Sequence, residues 1–345
     1  MSDPDTIALT GWLQRHIPGG PALALQRISG GQSNPTWFVN WGDRRLVLRA
    51  KPRGPILPGA HAVEREFRVQ QALGPTAVPV PQVLALEEDA SVLGVPFYVM
   101  ERIEGRVFSD CTLPGLSPDE RHEIYLDMAR TLARLHAVRP QTVGLGAYGK
   151  PGNYFERQIA RWSRQYHDSE GPRIEALDRL IPWLRDAMPE DDGAVSIAHG
   201  DFRLGNLIFA PDAPRVAAVL DWELSTLGHP LADLGFCVIP WHATPEEYGG
   251  IRGTGWEAGG IPTREAFLAE YFAHSDLEGP LLPFHTAFAM FRFAVIFHGI
   301  ADRARHGSAA SSEAASLGPL ADRFAIRAAE VAEIDLPPEM SLVVM

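Results

Sequence analysis

Two short runs constrain this chain more than any other feature: H-G-D-F-R-L-G-N from His199 to Asn206, and L-D-W-E from Leu220 to Glu223. Asp201 follows a short apolar strand, Asn206 closes the same loop, and Asp221 ends the apolar run V-A-A-V-L beyond a hairpin that returns the chain toward Asn206. Phosphoryl transfer asks for these groups at this spacing. Asp201 would orient an attacking hydroxyl, while Asn206 and Asp221 would hold magnesium on the phosphates of ATP. Carboxylate and amide oxygens are hard donors suited to that ion. The bland alternative makes both aspartates loop caps, which leaves the agreement of the two spacings and strand contexts unexplained.

A chain of 345 residues buries a large core, and its length favours two lobes. Hydrophobic residues make up 46% and charged residues 21%, the balance of an ordinary globular protein. The formal charge of -12 argues against nonspecific nucleic-acid binding, which needs a basic face. Two cysteines, Cys111 and Cys237, are too few for a disulfide framework or a cysteine-based zinc site. The opening M-S-D-P-D does not read as a secretory signal, and 284–300 reads as too short and too polar for a membrane span. A cytoplasmic protein without membrane partners is the expectation.

The first hundred residues alternate as a small α/β lobe. A helix is expected over 6–16, strands over 23–28, 36–41 and 45–49, a helix over 60–73, and strands over 83–86 and 97–103. Gly42-Asp43 marks a hairpin turn. After Gly105 the pattern becomes helical. Ser117-Pro118-Asp119-Glu120 is a capping box with proline at the first helical position, and Ile124, Met128, Leu132 and Leu135 form one core-facing stripe behind it. Helices are expected over 154–168, 173–187, 263–274 and 283–304, with short strands over 195–198, 207–209 and 216–220.

Several residues around the central runs admit two readings. Glu223 reaches a second metal or simply sits on its loop. His199 packs and hydrogen-bonds to hold the turn, in preference to ligating a metal. Asp233, at the start of the next helix, either accepts backbone N–H groups from the loop of Asp201 or caps its own helix. Arg203 neutralises the transferring phosphoryl or pairs with a neighbouring acid. In the first lobe, S-G-G-Q-S-N-P-T brings Gly30, Gly31, Ser33 and Asn34 between two strands, where glycine lets backbone approach a phosphate. A hairpin loop would use the same residues, and no G-K-[ST] follows to make a Walker loop. Arg49 stands in the third strand where a phosphate-binding cation is expected, with Glu66 to orient it and Glu64 as the more exposed rival. Solvated surface positions for Arg49 and Glu66 are the alternative. Met100, Glu101 and Arg102 would form a hinge offering backbone groups to adenine.

The strings L-V-L-R-A-K-P-R-G, A-H-A-V-E-R-E-F-R-V, S-V-L-G-V-P-F-Y-V-M-E, H-G-D-F-R-L-G-N-L-I-F, L-D-W-E-L-S-T-L-G-H-P-L-A-D-L-G and F-R-F-A-V-I-F-H-G-I-A-D-R run from about residue 25 to 305. Through them the chain resembles the aminoglycoside phosphotransferase and choline kinase superfamily, whose fold is similar to that of protein kinases. Within it, the chain most resembles the kinase-like domain fused to acyl-CoA dehydrogenases in animals and free-standing in bacteria. The resemblance implies an α+β, bilobal protein-kinase-like fold: a small antiparallel-sheet nucleotide-binding lobe over 1–103 and a larger, mostly helical catalytic and substrate-binding lobe over 104–345. It implies ATP and Mg2+ as cofactors, Asp201 as catalytic base, Asn206 and Asp221 as magnesium ligands, and Arg49, held by Glu66, as the phosphate contact. Many relatives carry lysine where this chain has Arg49; arginine keeps the charge in a planar fork of different geometry.

The implied acceptor is a small hydroxylated molecule, with a hydroxyacyl-CoA suggested by the fused relatives and an aminoglycoside by the superfamily's name. Arg292, His298 and Arg303 would line its pocket on the late helix, where Arg292 and Arg303 would suit an anionic acceptor or simply cover a helix face. Trp241 and Trp256 would wall that pocket or plug the core. Two other functions compete. A nucleotide-binding pseudokinase acting as an interaction module is motivated by Arg49. A metal-dependent hydrolase built on His199, Asp201, Asp221 and Glu223 lacks the clustered histidine ligands such a site needs. Oligomeric state and the choice of ATP over GTP leave no mark in the sequence.

Overall fold

The fold grows from a sheet whose strands present opposite faces to two helices. The computed structural model describes residues 4–20, 22–28, 34–54, 61–150, 152–305 and 318–337, and divides into two compact units. The first unit takes in Met1–Val107, Gln141–Leu145 and Asn206–Ser225; the second takes in Phe108–Pro140, Gly146–Gly205 and Thr226–Met345.

In the first unit, β1 (Leu23–Arg27), β2 (Thr36–Trp41), β3 (Arg44–Ala50), β4 (Val83–Glu87) and β5 (Phe97–Glu101) form an antiparallel sheet in the order β1-β2-β3-β5-β4. Side chains alternate across a strand, so Leu46, Leu48 and Ala50 of β3 join one face and Val47 and Arg49 the other. Helix α1 (Thr6–His16) brings Leu9, Trp12 and Leu13 to the first face, against Trp37, Val39, Phe97 and Val99. Asp5 caps this helix by accepting the N–H groups of Ile7 and Ala8. Helix α2 (Val63–Leu73) brings Val63 and Phe67 to the second face, with Val47, Tyr98 and Met100. The β2–β3 turn needs Gly42: its φ is 58°, and a Cβ there would meet the Gly20 nitrogen at 2.5 Å.

The second unit is mostly helical. Helix α3 (Pro118–His136) starts at Ser117, whose hydroxyl accepts the Glu120 N–H at 3.2 Å, and it buries the expected stripe Ile124, Met128, Leu132 and Leu135. Helices α4 (Tyr154–His167), α5 (Glu175–Asp186), α6 (Pro230–Cys237), α8 (Pro283–Arg305) and α9 (Gly318–Val331) share one core, and α7 (Arg264–Ala273) packs on α3. Helix α9 and the strand Thr226–Gly228 have no counterpart among the expected elements.

One expectation needs correction. By length and composition α8 is long and apolar enough to cross a membrane, so the argument that this stretch is too short and too polar fails. Burial decides the matter instead: 78% of its apolar window is inside the protein, packed on α4, α6 and α9.

Two histidines of this unit are held neutral. Burial, and then Arg264 and Arg252, lower the pKa of His242 to about 4. Burial, and then His229, do the same to His285, also to about 4. The unfolded chain therefore takes up these protons first, so the stability they contribute is complete above about pH 6.5 and is lost as pH falls toward 4. Urea midpoints measured from about pH 7 to 4 should fall across this window. A midpoint independent of pH there would refute the account.

Candidate active site

The first unit builds a buried ion network around Arg49. On β3 this residue shares a sheet face with Val47 and pairs directly with Tyr98 of β5, which places it under α2. Its Nε lies 2.7 Å from Glu66 Oε2, and its Nη2 lies 2.5 Å from Asp221 Oδ1. Glu66 is 1% exposed, and its carboxylate also accepts the Tyr98 hydroxyl at 3.0 Å and the side-chain amide of Asn34. Gln70, one turn along α2, donates to the Tyr98 oxygen at 3.0 Å. Burial pushes the Glu66 carboxyl upward, against the opposing pull of Arg49. Burial works against the charge of Arg49 too, yet Glu66, Tyr98, Asp221 and Glu223 together hold its pKa above the ordinary arginine value.

Asp221 and Asn206 reach the same end of a second hairpin. Strands β7 (Leu207–Phe209) and β8 (Val216–Val219) pair with Leu207 opposite Val219, and the Leu220 N–H donates to the Asn206 carbonyl at 2.8 Å. Asp221 then takes the left-handed conformation, with φ 65° and ψ 61°, which is uncommon for a residue carrying a side chain. Trp222 anchors the turn by donating its indole N–H to the Val219 carbonyl at 3.0 Å. Glu223 points toward His61, 3.7 Å from its Nδ1. Glu64 keeps 38% of its side chain exposed, against 1% for Glu66.

The expected hinge is partly spoken for. The Glu101 N–H donates to Gln82 O and the Arg102 N–H to Arg45 O. The Glu101 carboxylate binds Arg44, and Arg102 lies 3.9 Å above the Phe38 ring. Ile103 is the next amide along this stretch, and its N–H makes no hydrogen bond among the described residues. Gly30, Gly31 and Ser33 lie outside the described residues.

The second unit builds the loop of Asp201 from below. Strand β6 (Ser196–Ala198) pairs with β9 (Thr226–Gly228), and the chain leaves β6 through His199 and Gly200. Asp233 of α6, 1% exposed, accepts the His199 N–H at 2.6 Å and the Gly200 N–H at 2.9 Å. The loop-holding reading of Asp233 is therefore the one observed. Burial opposes its charge, but the hydrogen bond from His136 and the field of His199 leave its pKa below the ordinary value. His199 holds the turn as well, its Nδ1 accepting the Asp201 N–H at 3.2 Å. Arg203 Nε lies 3.3 Å from Asp201 Oδ1, and its guanidinium sits 5.3 Å from the Tyr248 ring centre.

Arg203 borders a cavity with about 560 Å³ of empty space, counting solvent at its mouth. Met128, Phe202, Phe236, Ile239 and Tyr248 give it apolar walls, and no carboxylate is among the lining residues. Arg292 and His298 are not brought there. Arg292 is 8% exposed and lies 5.9 Å from the Trp162 ring centre, and His298 Nε2 is 2.9 Å from the Pro172 carbonyl. Trp241 is half-buried, packs edge-on against Tyr125 and gives its indole N–H to the Pro262 carbonyl. Among the described residues no group of three His, Cys, Asp or Glu side chains is placed to hold a metal.

The clamp at Asp233 has a measurable worth. Asp233→Ala leaves two loop N–H groups and His136 unanswered, and should cost about 3–5 kcal/mol in urea denaturation, as broken buried charge networks do. A loss below about 1 kcal/mol, the scale of a single ordinary hydrogen bond, would show that the loop holds its shape without it.

Comparison with known proteins places these features in a family. Residues 24–273 match the phosphotransferase enzyme family model, APH. The chain is 43% identical over 325 residues to acyl-CoA dehydrogenase family member 10 of Mus musculus, covering 92% of this chain and 30% of that protein. It is 42% identical over 318 residues to the probable acyl-CoA dehydrogenase IBR3 of Arabidopsis thaliana, covering 87% and 39%. The chain thus spans well under half the length of these relatives. A Ralstonia eutropha crystal structure, assigned provisionally as an aminoglycoside phosphotransferase, superposes with a TM-score of 0.86 at 45% identity, covering 96% of this chain and 99% of that one. A microcompartment-associated aminopropanol kinase shares the fold at a TM-score of 0.62 and 18% identity, covering 97% and 100%. The fold is α+β, of the aminoglycoside phosphotransferase kind, and the chain belongs to the APH phosphotransferase enzyme family.

Proposed function

We propose that this protein is an ATP- and magnesium-dependent phosphotransferase that moves the γ-phosphoryl group to a hydroxyl of a small molecule, with a hydroxyacyl-CoA as the acceptor class. The observation that carries the reading is the buried guanidinium of Arg49, held by Glu66 at 2.7 Å and meeting Asp221 at 2.5 Å. A cation fixed by a helix carboxylate next to a hard oxygen ligand is what binding a metal-nucleotide phosphate requires.

In this reading Asp201 accepts the proton of the attacking hydroxyl, the new O–P bond forms at the γ-phosphorus, and the bond to the β-phosphate oxygen breaks to release ADP. Arg49 positions the phosphates, and Glu66 fixes Arg49. Asn206 and Asp221 would hold the magnesium ion, which supplies neutralisation of phosphate charge; their amide and carboxylate oxygens fit that ion. Glu223, beside His61, takes the place of a further acid near the same turn. Ile103, with the strand end Met100–Arg102, offers backbone groups to adenine.

Two facts favour an acyl acceptor over an aminoglycoside. The related chains are named as acyl-CoA dehydrogenase family members. The cavity that Phe202 and Arg203 border is walled by apolar side chains with Arg203 as its charge, and among its lining residues no carboxylate answers a polycation. A cytoplasmic protein follows from this choice of cofactor and substrate.

Transfer from labelled ATP to a pool of hydroxyacyl-CoAs, sugars, amino alcohols and aminoglycosides tests the reading. Label should enter the hydroxyacyl-CoA fraction, and Asp201→Ala should lower kcat by about 10²–10⁴ with little change in ATP affinity. ATP binding without transfer to any acceptor would instead support a pseudokinase.

A further inference from the structure

A second cavity lies in the same unit as the Asp201 loop and shares no lining residue with the first. It holds about 1070 Å³ of empty space, counting solvent at its mouth. Its inner wall includes Phe155 of α4, His229 at the start of α6 and His285 in the first turn of α8; its rim carries Glu156, Glu190, Asp191 and Asp192.

The two imidazoles are stacked, with ring centres 6.2 Å apart and planes 14° from parallel. Each accepts a backbone N–H on Nδ1: His229 from Leu231 at 3.2 Å, His285 from Leu282 at 3.0 Å. A ring nitrogen that accepts carries no proton, so in the neutral form the proton of each sits on Nε2. Burial keeps both rings neutral at ordinary pH, with His285 lowered to about 4. The Nε2–H of His229 donates to Asp192 at 3.2 Å. The Nε2–H of His285 has no acceptor among the described residues, although the side chain is 2% exposed and lines the cavity. That donor is reached from the cavity, where an acceptor on a ligand can take the place of water.

The rim adds the second requirement. Glu156 and Glu190 make no ion pair with lysine or arginine among the described residues, while Asp191 accepts the backbone N–H groups of Asn153 and Gly193 and lies in the field of His229 and Arg157. The site therefore offers negative charge at its mouth and a hydrogen-bond donor at its floor. A metal ion suits it poorly, because nitrogens that carry protons cannot ligate.

We propose that this cavity binds a small organic cation: a protonated primary amine held at the acidic rim, a carbonyl oxygen accepting the His285 Nε2–H, and a short apolar body against Phe155. The site is separate from the phosphotransfer site, and its occupancy does not depend on the acceptor assigned above.

L-Leucinamide carries all three features, isopentylamine lacks the carbonyl, and isovaleramide lacks the amine. Each is titrated into the full chain at about pH 6.5, where an α-amino group remains protonated, while the histidine side-chain resonances are followed by NMR. Leucinamide should shift the His229 and His285 signals saturably, and each partial probe should bind at least about tenfold more weakly. His285→Gln keeps an acceptor for the Leu282 N–H and should weaken leucinamide by a similar factor. The rim pair Glu190→Gln with Asp191→Asn should do the same without touching the core, and decides the matter if His285→Gln fails to fold. Equal affinity for leucinamide and isovaleramide would overturn the proposal. So would binding that leaves both imidazoles unmoved, the same shifts with Mg2+ alone, or no response at about 50 mM ligand.

Discussion

A guanidinium taken out of water must be answered by anions, and the first unit is organised around that demand at Arg49. Its two partners come from α2 and from the turn after β8, and the second lies 172 residues away in sequence. One cation therefore ties a strand, a helix and a distant turn to each other. Glu66 needs its own answers, which Tyr98 and Asn34 provide, so the network closes and little of it can be removed alone. Asp221 reaches Arg49 from a left-handed backbone position, a conformation that persists because Trp222 locks the turn beneath it.

The second unit solves a parallel problem with the opposite sign. Asp233 is a buried anion answered by two backbone N–H groups and by His136, and His136 is in turn bonded to Tyr271. Charge is thus placed where it fixes geometry, and the Asp201–Arg203 pair is more open. The Asp201 side chain is 16% exposed and Arg203 41%, whereas Asp233 and Glu66 are 1% exposed. The rigid buried carboxylates position their neighbours.

Much of this was legible in the sequence because it rests on periodicity and local chemistry. Alternation along 36–41 and 45–49 marks the strands, Gly42-Asp43 marks their turn, and Ser117-Pro118 marks the start of α3. Which face of β3 Arg49 joins also follows from alternation, whereas its meeting with Glu66 is one of two readings, the one that the resemblance favours and the structure shows. What was not legible depends on contacts distant in sequence. Helix α9 is alanine-rich, so its apolar stripe is weak, and it is fixed by packing on α8 and α5. Strand β9 is only Thr226–Gly228 and exists by pairing with β6. Arg292 and His298 stand out in sequence as charge on an apolar helix; neither lines the cavity that Arg203 borders, and their partners Trp162 and Pro172 are distant in sequence. The hinge amides could not be sorted either, since their partners Gln82 and Arg45 come from neighbouring strands.

Arginine at position 49 is best understood from the spacing of its two contacts. Nε meets Glu66 and Nη2 meets Asp221, so two nitrogens of one planar group serve two carboxylates that approach from different directions. A lysine ammonium is a single point charge and would have to bring one nitrogen within reach of both oxygens. The carboxylates would then draw together, against their mutual repulsion, or one would be released. Arginine removes that conflict and keeps its proton under all conditions, here reinforced by four surrounding groups that favour the charge. The fork also carries further donors, so phosphate oxygens could be engaged while Glu66 stays bound. On this argument the guanidinium holds β3, α2 and the turn after β8 together in a way a single ammonium would not.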